Sequence, residues 1–131
     1  MATKIKTVES AFSATGRDIA LLEVFNSLPE QDRVYMAAIY KRMVVTEAKN
    51  TEANNGKKWT PDYANGKWDK YYPYVWAKKN SAGVGFVVRD AGCASAHSYA
   101  SCGSRLCFQS AELVEEFNSD FPELLQQTLL D

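Results

Sequence analysis

Histidine is almost missing from this chain of 131 residues: His97 is the only one. Without a second imidazole, no paired-histidine metal site and no histidine relay can form. Cysteine is also scarce, and odd in number: Cys93, Cys102 and Cys107. An odd set with no secretory context predicts free thiols in a reducing compartment rather than a disulfide framework. No apolar run is long enough for a membrane span, and the opening MATKIKTVESAFSATG lacks the apolar core of a signal peptide. The expectation is a cytoplasmic protein, or one in a particle assembled there, with no membrane partner. Charge of one sign is not in excess either. Fifteen basic and sixteen acidic residues leave a formal net charge of −1, so no global field draws the chain to nucleic acid.

The motifs of common catalytic sites are absent. There is no Gly-x-Ser-x-Gly elbow and no phosphate-cradling glycine loop, and AGVG at Ala82–Gly85 reads as a hairpin turn. A catalytic pairing of Cys107 with His97 would need an electropositive setting and a third group to orient the base, and the sequence indicates neither. No enzymatic activity and no cofactor are expected.

What is present is a hydrophobic fraction of 46%, enough at this length for one domain over residues 1–131 with a core that needs no staples. Residues 1–15 read as a flexible arm or a weak helical turn. Residues 16–49 read as a helical hairpin. In its first helix Ile19, Leu22, Val24 and Phe25 fall near helical spacing behind Asp18 as a cap. In its second, about 29–49, Met36, Ile39, Tyr40, Met43 and Val44 form an apolar face, with a capping-box spacing from Ser27 to Glu30. Residues 50–70 form a breaker-rich loop that carries Trp59, Tyr63 and Trp68. Residues 71–109 read as an antiparallel sheet of three or four strands: Tyr72–Ala77, a return strand through Phe86 and Val88, an irregular third strand near Cys93–Ser101, and Ser104–Gln109 with Leu106 and Phe108 facing inward. Pro73 favours an edge strand or a strand start. Residues 110–130 form a closing helix capped by Ser110. Its inner stripe is Leu113, Val114 and Phe117, and it breaks near Pro122 before Leu124, Leu125, Leu129 and Leu130. The fold class predicted is α+β, with helices on one face of a small antiparallel sheet.

Two constellations carry chemistry. Cys93, His97, Cys102 and Cys107 supply four ligand types suited to zinc. Their spacing contains no Cys-x2-Cys pair, however, and Cys107 lies between Leu106 and Phe108, where a thiol acts as a small hydrophobe. Free thiols outweigh a metal site. The second constellation sets Trp59, Tyr63, Trp68, Tyr71 and Tyr74 among Lys57, Lys58, Lys67, Lys70, Lys78 and Lys79, against Asp62 and Asp69 alone. Rings on a sheet beside lysines suit single-stranded nucleic acid. Ordinary strand preference for aromatics and lysine protection of a sheet edge account for the same pattern. Aromatic residues are also the anchors of protein interfaces.

KYYPYV at Lys70–Val75 and GSRLCFQSAEL at Gly103–Leu113 resemble the signatures of an uncharacterised family from bacteriophages and prophages of gut Bacteroidales. The likeness runs from about Trp59 to the end. It departs from the family pattern at Thr60, Tyr63, Tyr74 and Gln109. The resemblance implies phage origin, in a bacterial host cytoplasm or a virion, and adds nothing on catalysis. Together these readings predict a non-enzymatic protein that binds or assembles with a phage or host protein through an aromatic surface of Trp59, Tyr63, Trp68, Tyr71, Tyr74, Lys70 and Lys78. Single-stranded nucleic acid is the alternative partner, and self-association is compatible with both.

Overall fold

A computed structural model describes residues 2–62, 64, 69–79, 86–96 and 103–130, the last part of the first strand and all of the second as backbone. One helix organises them. α2 runs from Glu30 to Ala53, a rod of about 36 Å at 1.5 Å per residue. It starts without a side-chain cap, because the Ser27 hydroxyl donates to Val24 O (2.9 Å) instead of closing a capping box with Glu30. Glu30 and Asp32 in the first turn favour the helix dipole in its place. The far end leaves through left-handed backbone at Asn55 and Gly56, with Gly56 N donating to Thr51 O (2.8 Å).

The segment before α2 is a 3-10 helix, Ile19–Ser27, whose first turn is capped by Asp18. Ahead of it, α1 spans Val8–Ala14 and is closed by a reciprocal capping box between Thr7 and Ser10. The first fifteen residues are therefore not a free arm. Thr3, Ile5, Ala11 and Phe12 are buried, and the Phe12 ring meets Tyr40 of α2 edge-on at 5.9 Å.

The predicted α+β sheet is not formed, and the described chain is mostly helical. β1 (Lys70–Lys79) and β2 (Phe86–Ala96) pair as a two-stranded antiparallel ribbon with a bulge at Trp76/Ala77. β2 absorbs Cys93–Ala96, where a third strand was expected to begin. The expected last strand is a 3-10 turn, Ser104–Leu106, followed by a single bridge between Phe108 and Tyr71. The cause lies in α2. The Asn50 carboxamide donates to Cys107 O (2.9 Å) and accepts from Gln109 N (3.1 Å), consuming the groups a further strand would pair with.

α3 (Ala111–Asp120) and α4 (Pro122–Leu129) close the chain. Ser110 caps α3 by accepting from Leu113 N, and Pro122 opens α4, where a missing N–H costs nothing. Asp120 does not cap α4; its carboxylate is committed to lysines. The core lies where Phe12, Val44, Val45, Phe108, Val114, Phe117 and Leu125 meet, with Phe117 against Phe108 and Phe121 at centroid distances of 5.4 and 5.7 Å. Leu129, expected inside, is exposed, and Leu106 is only half-buried.

Candidate functional site

The second half of α2 buries polar side chains among the apolar ones. Arg42, Thr46, Lys49 and Asn50 are each at most 4% exposed. Arg42 donates to Thr128 Oγ1 (3.1 Å), and Thr46 donates to Arg42 O (2.7 Å). Lys49 donates to Glu116 Oε2, to Asp120 Oδ2 (3.2 Å) and to Thr3 Oγ1 (3.3 Å), with the Phe121 ring 5.5 Å from its ammonium. Three acceptors and a ring face balance the cost of taking this cation out of water.

For Glu116 burial is the largest influence and raises its pKa, but bonds from Lys49 and from the Thr3 hydroxyl and amide outweigh it. The net shift is downward. Asp120 behaves alike: burial raises its pKa, and bonds from Lys6 and Lys49 bring it below the ordinary value. These acids border a cleft of about 810 Å³, together with Glu52 and Glu112. The N-terminal segment already answers the negative charge there. Lys6 pairs with Asp120 at 3.0 Å, and Lys4 N donates to Glu52 at 2.7 Å. The cluster acts as a latch between α2, α3 and the segment before α1.

The aromatic surface predicted from sequence is only partly assembled. Trp59 is half-buried and lines a cleft of about 240 Å³ with Lys58, Thr60, Ser104 and Arg105 over the α2 residues Met43, Thr46, Glu47 and Asn50. Arg105 is exposed on this cleft and makes no hydrogen bond among the described residues. Lys70 is 1% exposed, so it belongs to the interior and not to a contact surface. Tyr71 packs on the core and its hydroxyl donates to Asp69 Oδ2 (3.4 Å). Tyr74 stands outside at 43% exposure. Tyr63 and Trp68 lie outside the described residues, and Lys78 is described by its backbone alone.

The zinc reading divides the same way. Cys107 is buried and its thiol donates to Gly103 O (3.1 Å), as a small core residue would. Cys93 belongs to β2 by its backbone, and His97 and Cys102 lie outside the described residues. Among the described residues no three metal-ligating side chains gather.

A feature that sequence periodicity missed lies at the elbow between the 3-10 helix and α2. No residue of Ile19–Ser27 is buried. Side chains three apart align in a 3-10 helix, so Leu22 and Phe25 share one row and Leu21 and Val24 another. Leu22 and Phe25 line a groove of about 450 Å³ with Val34 and Ala37 of α2, and Phe25 meets Tyr40 at 6.0 Å. Leu21 and Val24 are 44% and 61% exposed, and Val34, Tyr35 and Met36 on the free end of α2 are 59%, 44% and 41% exposed. The groove itself holds Glu30, Arg33 and Lys41, and the exposed acids Asp18, Glu23 and Asp32 lie on the 3-10 helix with its cap and on the first turn of α2. Seven consecutive residues of α2, Glu30–Met36, are exposed.

Comparison of the chain with protein families, curated proteins and solved structures found no match in any of the three. No helix among the described residues is long and apolar enough to cross a membrane.

Proposed function

We propose that this chain works by binding another protein, with no chemistry of its own, and that the contact surface is the apolar elbow of the 3-10 helix and the first two turns of α2. The observation that carries the reading is the outward row Leu21 and Val24 beside Val34, Tyr35 and Met36, large side chains that a lone monomer gains nothing by exposing together. The outer side of the elbow carries the exposed acids Asp18, Glu23, Glu30 and Asp32, while Arg33 and Lys41 stand at the groove behind it. A segment with an apolar centre and lysine or arginine flanks complements Asp18, Glu23, Glu30 and Asp32, whereas a second copy of the same elbow would set like charges against each other. The resemblance of Lys70–Val75 and Gly103–Leu113 to a phage family supports a partner from the phage or its bacterial host.

The test is site-specific photo-crosslinking in the host, with the reactive residue at Val24 or Tyr35 and a control at Glu115 on the exposed side of α3. One foreign protein crosslinked from Val24 and Tyr35 but not Glu115, through a basic and apolar segment, and lost in a V34D variant that melts like the parent, is the expected result. Adducts formed only between copies of this chain, or no adduct specific to the elbow, would defeat the proposal.

A further inference from the structure

The geometry points to a second binding site, independent of the elbow: the Trp59 cleft takes a heteroaromatic ring carrying a phosphate, the chemistry of a single nucleotide. Trp59 and Met43 are the large apolar residues lining it, the kind of side chain on which a base stacks. Its volume of about 240 Å³ suits one such ring and little more.

The polar groups around it separate into committed and free. Thr46 donates to Arg42 O, and the Asn50 amide is held by Cys107 and Gln109. The Glu47 carboxylate is gripped by the Arg17 guanidinium through two bonds of 2.9 and 3.3 Å. Lys58 and Arg105 make no hydrogen bond or ion pair among the described residues, and both are exposed on the cleft. Arg17, Lys58 and Arg105 against Glu47 leave the site cationic within a chain whose overall charge is −1. Arg105 offers the planar fork that matches a phosphate. Thr60 and Ser104 supply hydroxyls at the same cleft for the polar edge of a base or a sugar. Lys58, Trp59 and Thr60 come from the segment after α2, Ser104 and Arg105 from the 3-10 turn, and Met43, Thr46, Glu47 and Asn50 from α2, so the cleft is assembled by three separate parts of the chain.

The experiment is a titration of the full chain, labelled with nitrogen-15, with adenosine monophosphate, observing the Trp59 indole N–H. Adenosine, inorganic phosphate, phosphotyrosine and a short oligodeoxyadenylate form parallel arms. The expected result is saturable movement of the Trp59 signal with a Kd on the order of 1 mM or tighter. Adenosine and phosphate should each bind at least about tenfold more weakly. R105Q and K58Q, at exposed positions that leave the core intact, should each weaken binding about tenfold, and W59F should weaken it less than W59A. Tighter binding of the oligonucleotide than of the monophosphate assigns the site to a strand, and equal binding assigns it to the free nucleotide; both support the proposal. No movement at about 10 mM monophosphate, an equal response to inorganic phosphate alone, or a preference for phosphotyrosine would overturn it.

Discussion

The two halves of α2 share one helix and oppose each other in almost every other respect. From Glu30 to Met36 every residue is exposed, Val34, Tyr35 and Met36 included. From Arg42 to Asn50 only Met43 and Glu47 are even half-exposed, and the buried set includes Arg42, Thr46, Lys49 and Asn50. Apolar residues stand in water at one end, and cations are enclosed at the other. Burial along α2 thus follows which neighbours reach it. α1, the Cys107–Gln109 segment, α3 and α4 converge on the second half, while among the described residues the 3-10 helix accompanies the first, with Gln127 of α4 at the groove between them. The lesson is that side-chain type alone does not assign a face when a helix extends past its core.

Substitutions can sharpen or break this contrast. The largest effect is expected at the buried cation. K49M removes the buried cation between Glu116 and Asp120 and leaves them only the exposed Lys6, at a cost of about 3 kcal/mol in urea unfolding. Adding E116Q to K49M should recover part of that loss. Full stability in K49M would show that the latch contributes nothing. Next comes a matched pair along the helix. Val44→Ala empties space at 0% exposure and should cost about 2 kcal/mol, whereas Val34→Ala at 59% exposure should stay within about 0.5 kcal/mol. Equal losses would mean that the elbow is covered by the domain itself.

The smallest effect is on acidification. Glu116 and Asp120 have folded pKa values below their ordinary 4.5 and 3.8, so the unfolded chain takes up protons first as pH falls. Their contribution is complete above the unfolded values and drains away as pH drops from about 4.5 through the lower folded values. Unfolding midpoints measured between pH 6 and pH 3 should decline less steeply in E116Q than in the parent; parallel curves would refute the assignment.

Much of the helical part was readable. Asp18 and Ser110 cap where a short polar side chain precedes an apolar stripe, and the interruption at Pro122 follows from its missing N–H. Period-two alternation made Ser104–Gln109 look like a strand, and Phe108 is indeed core. Alternation cannot register that a helix side chain, Asn50, has taken the place of a neighbouring strand. Lys70 and Lys49 were illegible for the same reason, since lysine is placed outside by default and only a tertiary partner brings it in. The exposure of the elbow was not legible, because its residues have a helical period like that of any buried stripe.

The Asn50 clasp has a consequence for how this protein behaves at high concentration. Phe108 is bonded to Tyr71 through both its N–H and its carbonyl, at 2.7 and 3.0 Å, while Asn50 holds the carbonyl before it and the amide after it. The backbone of Cys107–Gln109 is thereby occupied on both sides, although it is extended, apolar and rich in the residues from which fibrils grow. A chain in which position 50 loses its carboxamide would expose a sticky ribbon edge, and turbidity on standing would report the loss before activity did.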